Sequence, residues 1–413
     1  MPLHLFDAFG VELEYMVVDA ATLDVRPIVD RLFEQVTGEI VSDVEHGDID
    51  WSNELVRHVV ELKTAQPTQT LDCLAGTFQR HVASVNAALR SLDARLMPTA
   101  MHPWMDPHLE MQLWPHDNSP IYETFHRVFD CRGHGWANLQ SVHLNLPFCG
   151  AESPDDEFGR LHAAVRLLLP ILPGLAASSP VIDQRLTGLQ DNRLEVYRTN
   201  SRKVASVAGR VIPERAFTQR DYERLIFEPM FAEIAPFDPE GHLQDEFLNA
   251  RGAIARFGRG SIEIRVLDIQ ECPLADLAVV SAIVNVLQAL VEERWSSLAG
   301  QQSVDIDPLY SILDRTIRDA EQAVIDDADY LRLLGWTESD RCTVSDLWRF
   351  LIKQAGGADA VPAECAAALQ LILDRGPLAR RLTARLRGDS SRDTLQMVYR
   401  ELCDCLADGR MFE

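Results

Sequence analysis

The sequence predicts an α+β fold in which a mostly antiparallel sheet is flanked by helices. Three observations support this class. Four segments alternate apolar and polar side chains with a period of two, which is typical of strands that bury one face. Apolar segments with three- and four-residue spacing lie between these strands, as expected for helices that cover a sheet. Strand signals stop after about residue 300, so we predict a mixed region at residues 1–300 and a helical C-terminal region at residues 301–413.

The first two predicted strands, Phe9–Val18 and Val59–Thr64, each have one apolar and one polar face. Side chains two residues apart in a strand point the same way, so the charged residues of each strand share a face. A helix follows at Leu71–Leu96, where apolar residues recur every three or four positions. The charged side chains in, and just before, these two strands include Glu12, Glu14, Glu54, Glu61 and Lys63.

The third predicted strand, Ser141–Leu146, repeats the pattern, with Gln140 directly before it. Its apolar residues alternate with three polar ones, of which His143 is the central one. A second apolar helix is predicted at Leu161–Leu175, and two prolines interrupt it.

The fourth predicted strand is Ser261–Val266, where Glu263 and Arg265 oppose three apolar residues. A helix then runs from Cys272 to Trp295. Its apolar stretch carries Asp276, Ser281, Asn285 and Gln288, which form a polar stripe. This stripe predicts a largely buried helix and not a membrane span.

The C-terminal region contains helical patterns and few turn or strand signals. The predicted helices are Pro308–Ala328, Val344–Gln354, Pro362–Leu373 and Arg392–Ala407.

The polar faces of the four strands have an unusual composition. A solvated sheet face would explain any one of them. Together, however, they offer five glutamates and one histidine, and carboxylates on one face repel each other unless cations neutralise them. Divalent ions would do so, and carboxylate together with water suits Mg²⁺ or Mn²⁺. Arg265, beside Glu263, could bind a phosphate through two parallel hydrogen bonds. The candidate metal ligands are Glu12, Glu14, Glu54, Glu61, His143 and Glu263.

Charge and cysteine content exclude several classes of protein. The chain has 413 residues and a formal net charge of -24, from 63 acidic and 39 basic residues, so nucleic acid is not an expected partner. The N-terminal residues have neither the basic nor the apolar region of a signal peptide, and a cytoplasmic location is expected. The eight cysteines include no C-x-x-C pair, so we expect reduced thiols and no zinc site.

These segments resemble the glutamate–cysteine ligase family, especially its bacterial carboxylate–amine ligase branch. The resemblance covers roughly residues 6–295 and is carried by six segments in the order of the family. They are GVELEYMVVD, NELVRHVVELKT, MHPW, QSVHLNLPF, AASSPVIDQRLTGLQDNR and GSIEIRVLD. It implies a glutamine-synthetase-like fold, with a curved, mostly antiparallel sheet whose concave face holds Mg²⁺ and ATP.

The resemblance also implies roles for single residues. Glu14, Glu54 and Glu61 would hold one metal ion, and Glu12, His143 and Glu263 would hold another that bridges the ATP phosphates. Arg265 would contact the transferring phosphoryl group, so Arg265 and Glu263 are the expected catalytic residues. Arg193 would bind the free carboxylate of the acid, and Gln140 would line the same pocket. Arg256 belongs to a basic cluster with Arg251 and Arg259 and is expected to reach ATP.

The implied reaction is ATP-dependent amide formation. ATP phosphorylates a carboxylate, and an amine then displaces phosphate from the acyl phosphate. Glutamate is the default acid and cysteine or another amine the acceptor, in a protein that could form homo-oligomers. Ser141 and Asn145 depart from the pattern of the branch and leave the acceptor open. Two alternatives stay open: a non-catalytic nucleotide-binding or regulatory protein on a ligase scaffold, and a guanidino-kinase-like phosphotransferase, which would need a reactive cysteine.

Overall fold

A computed structural model describes residues 2–413 of the chain. The strands are β1 (Gly10–Asp19), β2 (Asp43–Val44), β3 (Ile49–Asn53), β4 (Val59–Thr64), β5 (Ala94–Met97), β6 (Ser141–Pro147), β7 (Val181–Ile182), β8 (Arg185–Leu186), β9 (Ala253–Arg256), β10 (Ser261–Asp268), β11 (Val324–Ile325) and β12 (Cys342–Thr343). The helices before residue 300 begin with α1 (Val29–Thr37), α2 (Leu74–Leu89), α3 (Pro107–Glu110), α4 (Ser119–Phe129), α5 (His134–Ala137) and α6 (Glu157–Leu168). They continue with α7 (Pro173–Ala176), α8 (Asn192–Asn200), α9 (Gln219–Tyr222), α10 (Glu228–Ile234), α11 (Pro273–Val291) and α12 (Leu298–Gln302). The later helices are α13 (Ile306–Asp319), α14 (Ala328–Leu333), α15 (Val344–Gln354), α16 (Ala366–Arg375), α17 (Leu378–Leu386) and α18 (Arg392–Asp408).

Eight of the described strands form one sheet in the order β2-β3-β4-β1-β6-β10-β9, and β5 pairs with the second half of β1. The pairings within this sheet are antiparallel. The predicted α+β class and the mostly antiparallel sheet are therefore confirmed. Each of the four predicted strands is a strand of this sheet, with bounds that differ from the prediction by at most two residues.

The sheet has one apolar face and one polar face. Val11, Leu13 and Tyr15 of β1 belong to the main hydrophobic core, together with the alternating apolar residues of β4, β6 and β10. Buried side chains of α2, α6 and α11 complete this core. The polar face forms a cleft where the apolar residues beside the candidate ligands point to the other side. The second half of β1 differs, because Met16 and Val18 pack with β5 and helix α18 in a second core.

Several elements differ from the sequence prediction. Helix α2 ends at Leu89, and a short helical turn ends at Asp93, which has the left-handed φ of 52°. The chain then enters β5, so the predicted helix to Leu96 was too long. The C-terminal region is mostly helical as predicted, but α13 ends at Asp319, so the predicted helix Pro308–Ala328 was too long. Strand β11 follows it and pairs with β12.

Helix α11 is the core helix predicted for the apolar stretch. By length and composition it could cross a membrane, but 78% of that stretch is buried inside the protein. Its polar residues have hydrogen-bond partners: the Ser281 hydroxyl donates to the Leu277 carbonyl at 2.6 Å, and Asp276 accepts from the Gln270 backbone at 2.8 Å. These contacts explain how the helix buries polar groups.

The C-terminal helices pack on the region before residue 300. The indole of Trp348 in α15 donates to the carbonyl of Ile171 at 2.9 Å. Helix α18 returns to the N-terminal part of the chain, where Asp404 pairs with Arg95 at 2.8 Å. A division of the chain at residue 300 stays a prediction.

Gly174 sits where α7 meets α15, and this contact gives a testable prediction. A Cβ at Gly174 would overlap Val344 and lie 3.3 Å from Trp348. We expect Gly174→Ala to destabilise the protein by about 1–3 kcal/mol, because inserting a methyl group into a packed core forces its neighbours apart. Urea unfolding would measure the change.

Gly76 provides the matched control. It lies within α2, and a Cβ there meets nothing within 4 Å. Gly76→Ala should therefore leave stability unchanged or raise it by up to about 1 kcal/mol. Equal effects of the two substitutions would contradict close packing between α7 and α15.

Candidate active site

A cleft of about 1280 Å³ lies over the polar face of the sheet. The structure places all six candidate metal ligands in its lining, together with Arg193, Arg256 and Arg265. Gln140 is fully buried and is not among the described lining residues, and its side-chain amide has no hydrogen-bond partner among residues 2–413. A role for Gln140 in substrate binding stays a prediction.

Strand register explains why the candidate ligands converge. Glu14 lies opposite Glu61 on β4, and Glu12 lies opposite His143 on β6. Glu263 on β10 lies opposite Asn145 on β6. Residues directly opposite each other in an antiparallel pair have Cβ atoms about 4.5–5.5 Å apart, so neighbouring strands deliver adjacent carboxylates.

Glu14, Glu54 and Glu61 form the first acidic group, with one oxygen from each within 4.8 Å of the others. Burial and the charge of Glu14 raise the pKa of Glu54 to about 7. Burial, followed by the charges of Glu12 and Glu54, raises the pKa of Glu61 well above its ordinary value. Without a cation, this group therefore favours protonated carboxyls.

Glu12, Glu61 and His143 form the second group, which meets the same 4.8 Å limit. His143 Nδ1 and a Glu12 oxygen are 2.8 Å apart. Burial alone would lower the pKa of His143, but this hydrogen bond and the charges of Glu14, Glu12 and Glu263 raise it to about 9. A metal ion bound here would displace a proton from the imidazole, because only the neutral ring can act as a ligand.

Glu263 lies beside the second group. One of its oxygens lies 3.9 Å from His143 Nδ1, and its role as a metal ligand stays a prediction. The Glu263 carboxylate contacts Arg256 at 3.0 Å and Arg265 at 3.2 Å. Burial opposes its ionisation, yet the charges of Arg265 and Arg256 lower the pKa of Glu263 to about 2. The protein thus neutralises part of the acidic face with its own arginines.

A β-bulge lies next to these arginines. Ile264 pairs with Leu144 and Leu267 pairs with Val142, so β10 has one residue more than β6 in this interval. Such a bulge reverses the facing of all later residues relative to the first part of the strand. Asp268 therefore lies opposite Ser141, on the side of the cleft.

Asp268 holds Arg193 in the wall of the cleft. The Arg193 Nη1 atom is 3.4 Å from an Asp268 oxygen, and its Nη2 atom donates to the Arg265 carbonyl at 2.9 Å. Two of the five N–H groups of the guanidinium are used in this way, and Nε has no partner in the described part of the chain. Burial raises the pKa of Asp268, and the charge of Arg193 works against this rise.

The segment before α8 fixes this pair. Asp268 also accepts hydrogen bonds from the Ser178 backbone and the Ser179 hydroxyl, both at 2.8 Å. The Ser179 hydroxyl in turn accepts from the Arg193 backbone at 3.1 Å, and Asp191 caps α8. The segment therefore positions α8, and Arg193 on it, relative to β10.

Sequence reasoning missed Asp268 and the upper wall of the cleft. Strict alternation along β10 would place Asp268 on the core side, because no feature of the sequence marks the bulge. Helix α8 offers a signal, since Arg193, Tyr197 and Asn200 lie at i, i+4 and i+7 and all three line the cleft. The aromatic residues of the wall come from short elements without a periodic pattern, and they are Tyr122, Phe125, Trp136 and Phe247.

The donor set fits a divalent cation with a preference for oxygen ligands. The first group consists of three carboxylates, the second of two carboxylates and one imidazole, and Glu61 belongs to both. Carboxylate oxygens are typical ligands of Mg²⁺ and Mn²⁺. A bound cation would also relieve the repulsion that raises the pKa of Glu54 and Glu61.

We expect Mg²⁺ to stabilise the protein and Glu61→Gln to remove this effect. A ligand that binds only the folded state adds about 2.7 kcal/mol at a concentration of about 100 times its Kd. Burial favours the protonated form of Glu61, so the neutral glutamine should leave the metal-free stability unchanged or higher. Unfolding curves with Mg²⁺ and with a chelator measure both effects.

Glu39→Gln is the control for loss of one negative charge, because Glu39 is exposed and lies outside the cleft lining. It should keep the full response to Mg²⁺. A Glu61→Gln protein that still gains stability with Mg²⁺ would argue against the shared role of Glu61.

Comparison with known proteins identifies related sequences. The profile of glutamate–cysteine ligase family 2 matches residues 8–401. An uncharacterised protein of Archaeoglobus fulgidus is 33% identical over 69% of this chain and 75% of its own length. A protein of Bradyrhizobium sp. strain ORS 278 with the provisional name glutamate–cysteine ligase 2 is 27% identical over 70% of this chain. The match spans 62% of the Bradyrhizobium protein.

Two solved structures share the fold. Glutamate–cysteine ligase of Francisella tularensis in complex with AMP has a TM-score of 0.60 and 13% identity, over 98% of this chain and 90% of that chain. A bifunctional glutathione synthetase of Pasteurella multocida also has a TM-score of 0.60, with 14% identity over 96% of this chain. The present chain spans about half of the latter, 53%.

Proposed function

Because the chain belongs to glutamate–cysteine ligase family 2, we propose that it is an ATP-dependent ligase that joins the side-chain carboxylate of glutamate to an amine. The proposed reaction passes through an acyl phosphate. Its substrates are small molecules, and a cytoplasmic location would supply the ATP.

One observation supports this proposal most directly. The two acidic groups and the Glu263, Arg256 and Arg265 cluster lie side by side in one cleft. Phosphoryl transfer between two anions needs positive charge around the moving group and little other chemistry. A cleft with carboxylates for cations and two arginines at one end suits this requirement.

The residues have distinct proposed roles. Glu14, Glu54 and Glu61 hold one divalent cation, and Glu12 and His143 hold a second with Glu61 or Glu263. These ions neutralise the phosphate charge when bound. Arg265 and Arg256 orient the phosphoryl group of ATP, and Glu263 fixes both guanidinium groups. Arg193 binds the free carboxylate of the acid with N–H groups that Asp268 and the Arg265 carbonyl do not use.

The guanidino-kinase alternative receives less support. None of the described residues that line the cleft is a cysteine. Burial raises the pKa of several cysteine thiols, as for Cys131 and Cys365, to about 12. These thiols have the opposite character from the reactive thiolate that a guanidino kinase would need.

Trapping the acyl phosphate tests the proposal. The enzyme is incubated with Mg²⁺, ATP and glutamate, and hydroxylamine replaces the amine acceptor. Displacement of phosphate then gives the hydroxamate, one ADP and one phosphate for each glutamate consumed. We expect hydroxamate only when ATP and glutamate are both present. Absence of hydroxamate, together with no glutamate-dependent ADP release over a panel of amines, would refute the proposed reaction.

A further inference from the structure

The wall of the cleft above the sheet is aromatic. Among the described residues, each buried or half-buried lysine or arginine that lines the cleft pairs with a carboxylate. We propose that the acceptor is a primary amine without a carboxylate, with an apolar and preferably aromatic substituent. This inference rests on the proposed ligase function and specifies its second substrate.

Three short elements build the aromatic wall. Helix α4 contributes Tyr122 and Phe125, α5 contributes Trp136, and the turn at 246–248 contributes Phe247. The ring centre of Phe125 lies 5.4 Å from that of Trp136 and 6.3 Å from that of Phe247. All four side chains are half-buried and line the cleft, so their free faces are turned to a ligand.

The wall is attached to the helix that carries Arg193. The Trp136 indole donates to the Asn200 carbonyl at 3.1 Å, and the Asn200 amide donates to the Gly135 carbonyl at 2.7 Å. A Cβ at Gly135 would lie 2.7 Å from the Asn200 Cβ, so only glycine permits this close approach of α5 to α8. A molecule on the aromatic wall would therefore lie next to a molecule held by Arg193.

On α8, Tyr197 lies between Arg193 and Asn200, the residue that contacts the aromatic wall. It is 9% exposed, and its hydroxyl has no hydrogen-bond partner within residues 2–413. The Arg193 guanidinium lies 5.9 Å from the centre of its ring. The hydroxyl is available to a substrate at the junction of the acid site and the aromatic wall.

Counting the cations shows why a carboxylate is excluded from the acceptor. Over residues 2–413, five lysines and arginines line the cleft, namely Lys63, Arg193, Arg256, Arg259 and Arg265. Lys63 contacts Asp43 at 3.0 Å and Glu61 at 3.6 Å, and the other buried or half-buried cations pair with Asp268 or Glu263. Arg259 is exposed in the turn that follows Arg256, at the phosphate end.

Once the acid and ATP are bound, none of these cations is left to pair with a carboxylate on the acceptor. The acid takes Arg193, and the phosphates of ATP take the three arginines of β9, β10 and their turn. The wall itself adds Asp245 and Glu246 to the lining. A carboxylate placed there would lose its hydration without gaining a cation, which is costly, whereas an aromatic substituent and an ammonium group are attracted to the rings.

Matched pairs of acceptors test the inference. Each pair consists of an amino acid and the amine that lacks its carboxylate: phenylalanine with phenethylamine, and cysteine with cysteamine. Glutamate-dependent ADP release gives kcat/KM for each acceptor at fixed ATP and glutamate. We expect the amine to exceed its amino acid by at least about 10-fold in both pairs, and phenethylamine to be the best of the four, as loss of one charged hydrogen bond corresponds to a factor of this size.

Two variants test the location of the acceptor. Phe125→Ala should raise the Michaelis constant for phenethylamine and leave the constants for glutamate and ATP unchanged, because the Phe125 ring makes no hydrogen bond to α8. Phe237→Ala, at an exposed aromatic residue outside the cleft lining, should change none of the three. Phe247→Arg supplies the missing cation and should shift the preference toward phenylalanine.

The outcomes separate this inference from the proposed function. If the amino acid is preferred in both pairs, or if hydroxamate forms but none of the four acceptors reacts, the inference is wrong and the ligase function stands. If neither hydroxamate nor glutamate-dependent ADP release occurs, the ligase function itself fails.

Discussion

Glu263→Gln is expected to lower ATP-dependent amide formation by about 100- to 1000-fold, the usual cost of removing one preorganised electrostatic group from an active site. Glu263 holds Arg256 and Arg265 by contacts of 3.0 and 3.2 Å. A neutral amide would leave both guanidinium groups without their counter-charge and free to take other positions. The measurement is glutamate-dependent ADP release at saturating ATP.

The same variant should be less stable without metal. The pKa of Glu263 falls from 4.5 to about 2 in the folded protein. A depressed carboxyl pKa stabilises the fold above the unfolded value, here by about 3 kcal/mol at neutral pH. The stability difference between wild type and Glu263→Gln should shrink as the pH falls from 4.5 towards 2.

Glu61→Gln is the control that separates loss of activity from loss of stability. Glu61 lies on the same face, but burial and neighbouring carboxylates raise its pKa. Both variants should lose activity, yet only Glu263→Gln should lose metal-free stability. A Glu263→Gln protein with full activity, or one as stable as Glu61→Gln, would contradict the assignment.

Arg193→Lys is expected to raise the Michaelis constant for the acid substrate by about 10- to 150-fold, with little change for ATP. A guanidinium binds a carboxylate through two parallel hydrogen bonds, and an ammonium group cannot reproduce this geometry. Loss of one charged hydrogen bond costs about 1.5–3 kcal/mol, which gives this range. Titration of both substrates against the variant provides the measurement.

The contact of Arg193 with Asp268 makes this experiment easier to interpret. Lysine keeps a positive charge near Asp268, so the fold should be retained. If Arg193 served only the structure, the variant would melt early and bind both substrates normally. Arg185→Lys, the same change at an exposed arginine outside the cleft lining, should alter neither constant.

The sequence was sufficient to predict the sheet that carries the site. Alternation identified β1, β4, β6 and β10, because an apolar face that packs on helices forces every second residue to be apolar. It also predicted which side chains share the polar face. The six-segment resemblance then pointed to the correct family.

The arrangement of charges on that face could not be predicted in the same way. Five glutamates suggested a repulsion that divalent cations would neutralise. The structure gives Glu263 two arginine partners, whereas Glu61 joins both acidic groups. Which carboxylate meets which cation depends on lateral strand order, and a single sequence does not contain it.

Helix ends and short elements also could not be predicted from the sequence. The apolar pattern of α2 continues to Leu96, but a left-handed residue at Asp93 ends the helical turn and starts β5. The aromatic residues of the cleft wall lie in α4, α5 and a three-residue turn, which are too short for a periodic pattern.

The extra residue in β10 makes the length of that strand set the distance between the proposed phosphate site at Glu263 and the proposed acid site at Asp268 and Arg193. Glu263 precedes it and Asp268 follows it, yet both face the same side. Removing one residue from the interval would put the two carboxylates out of phase, turning Asp268 inward and leaving the Arg193 guanidinium in the wall with no anion to steady it. Inserting two residues would keep the phase but move Asp268 along the strand by about 7 Å, away from the arginines at Glu263. The number of residues between Glu263 and Asp268, and not their side chains alone, therefore sets the geometry of the site.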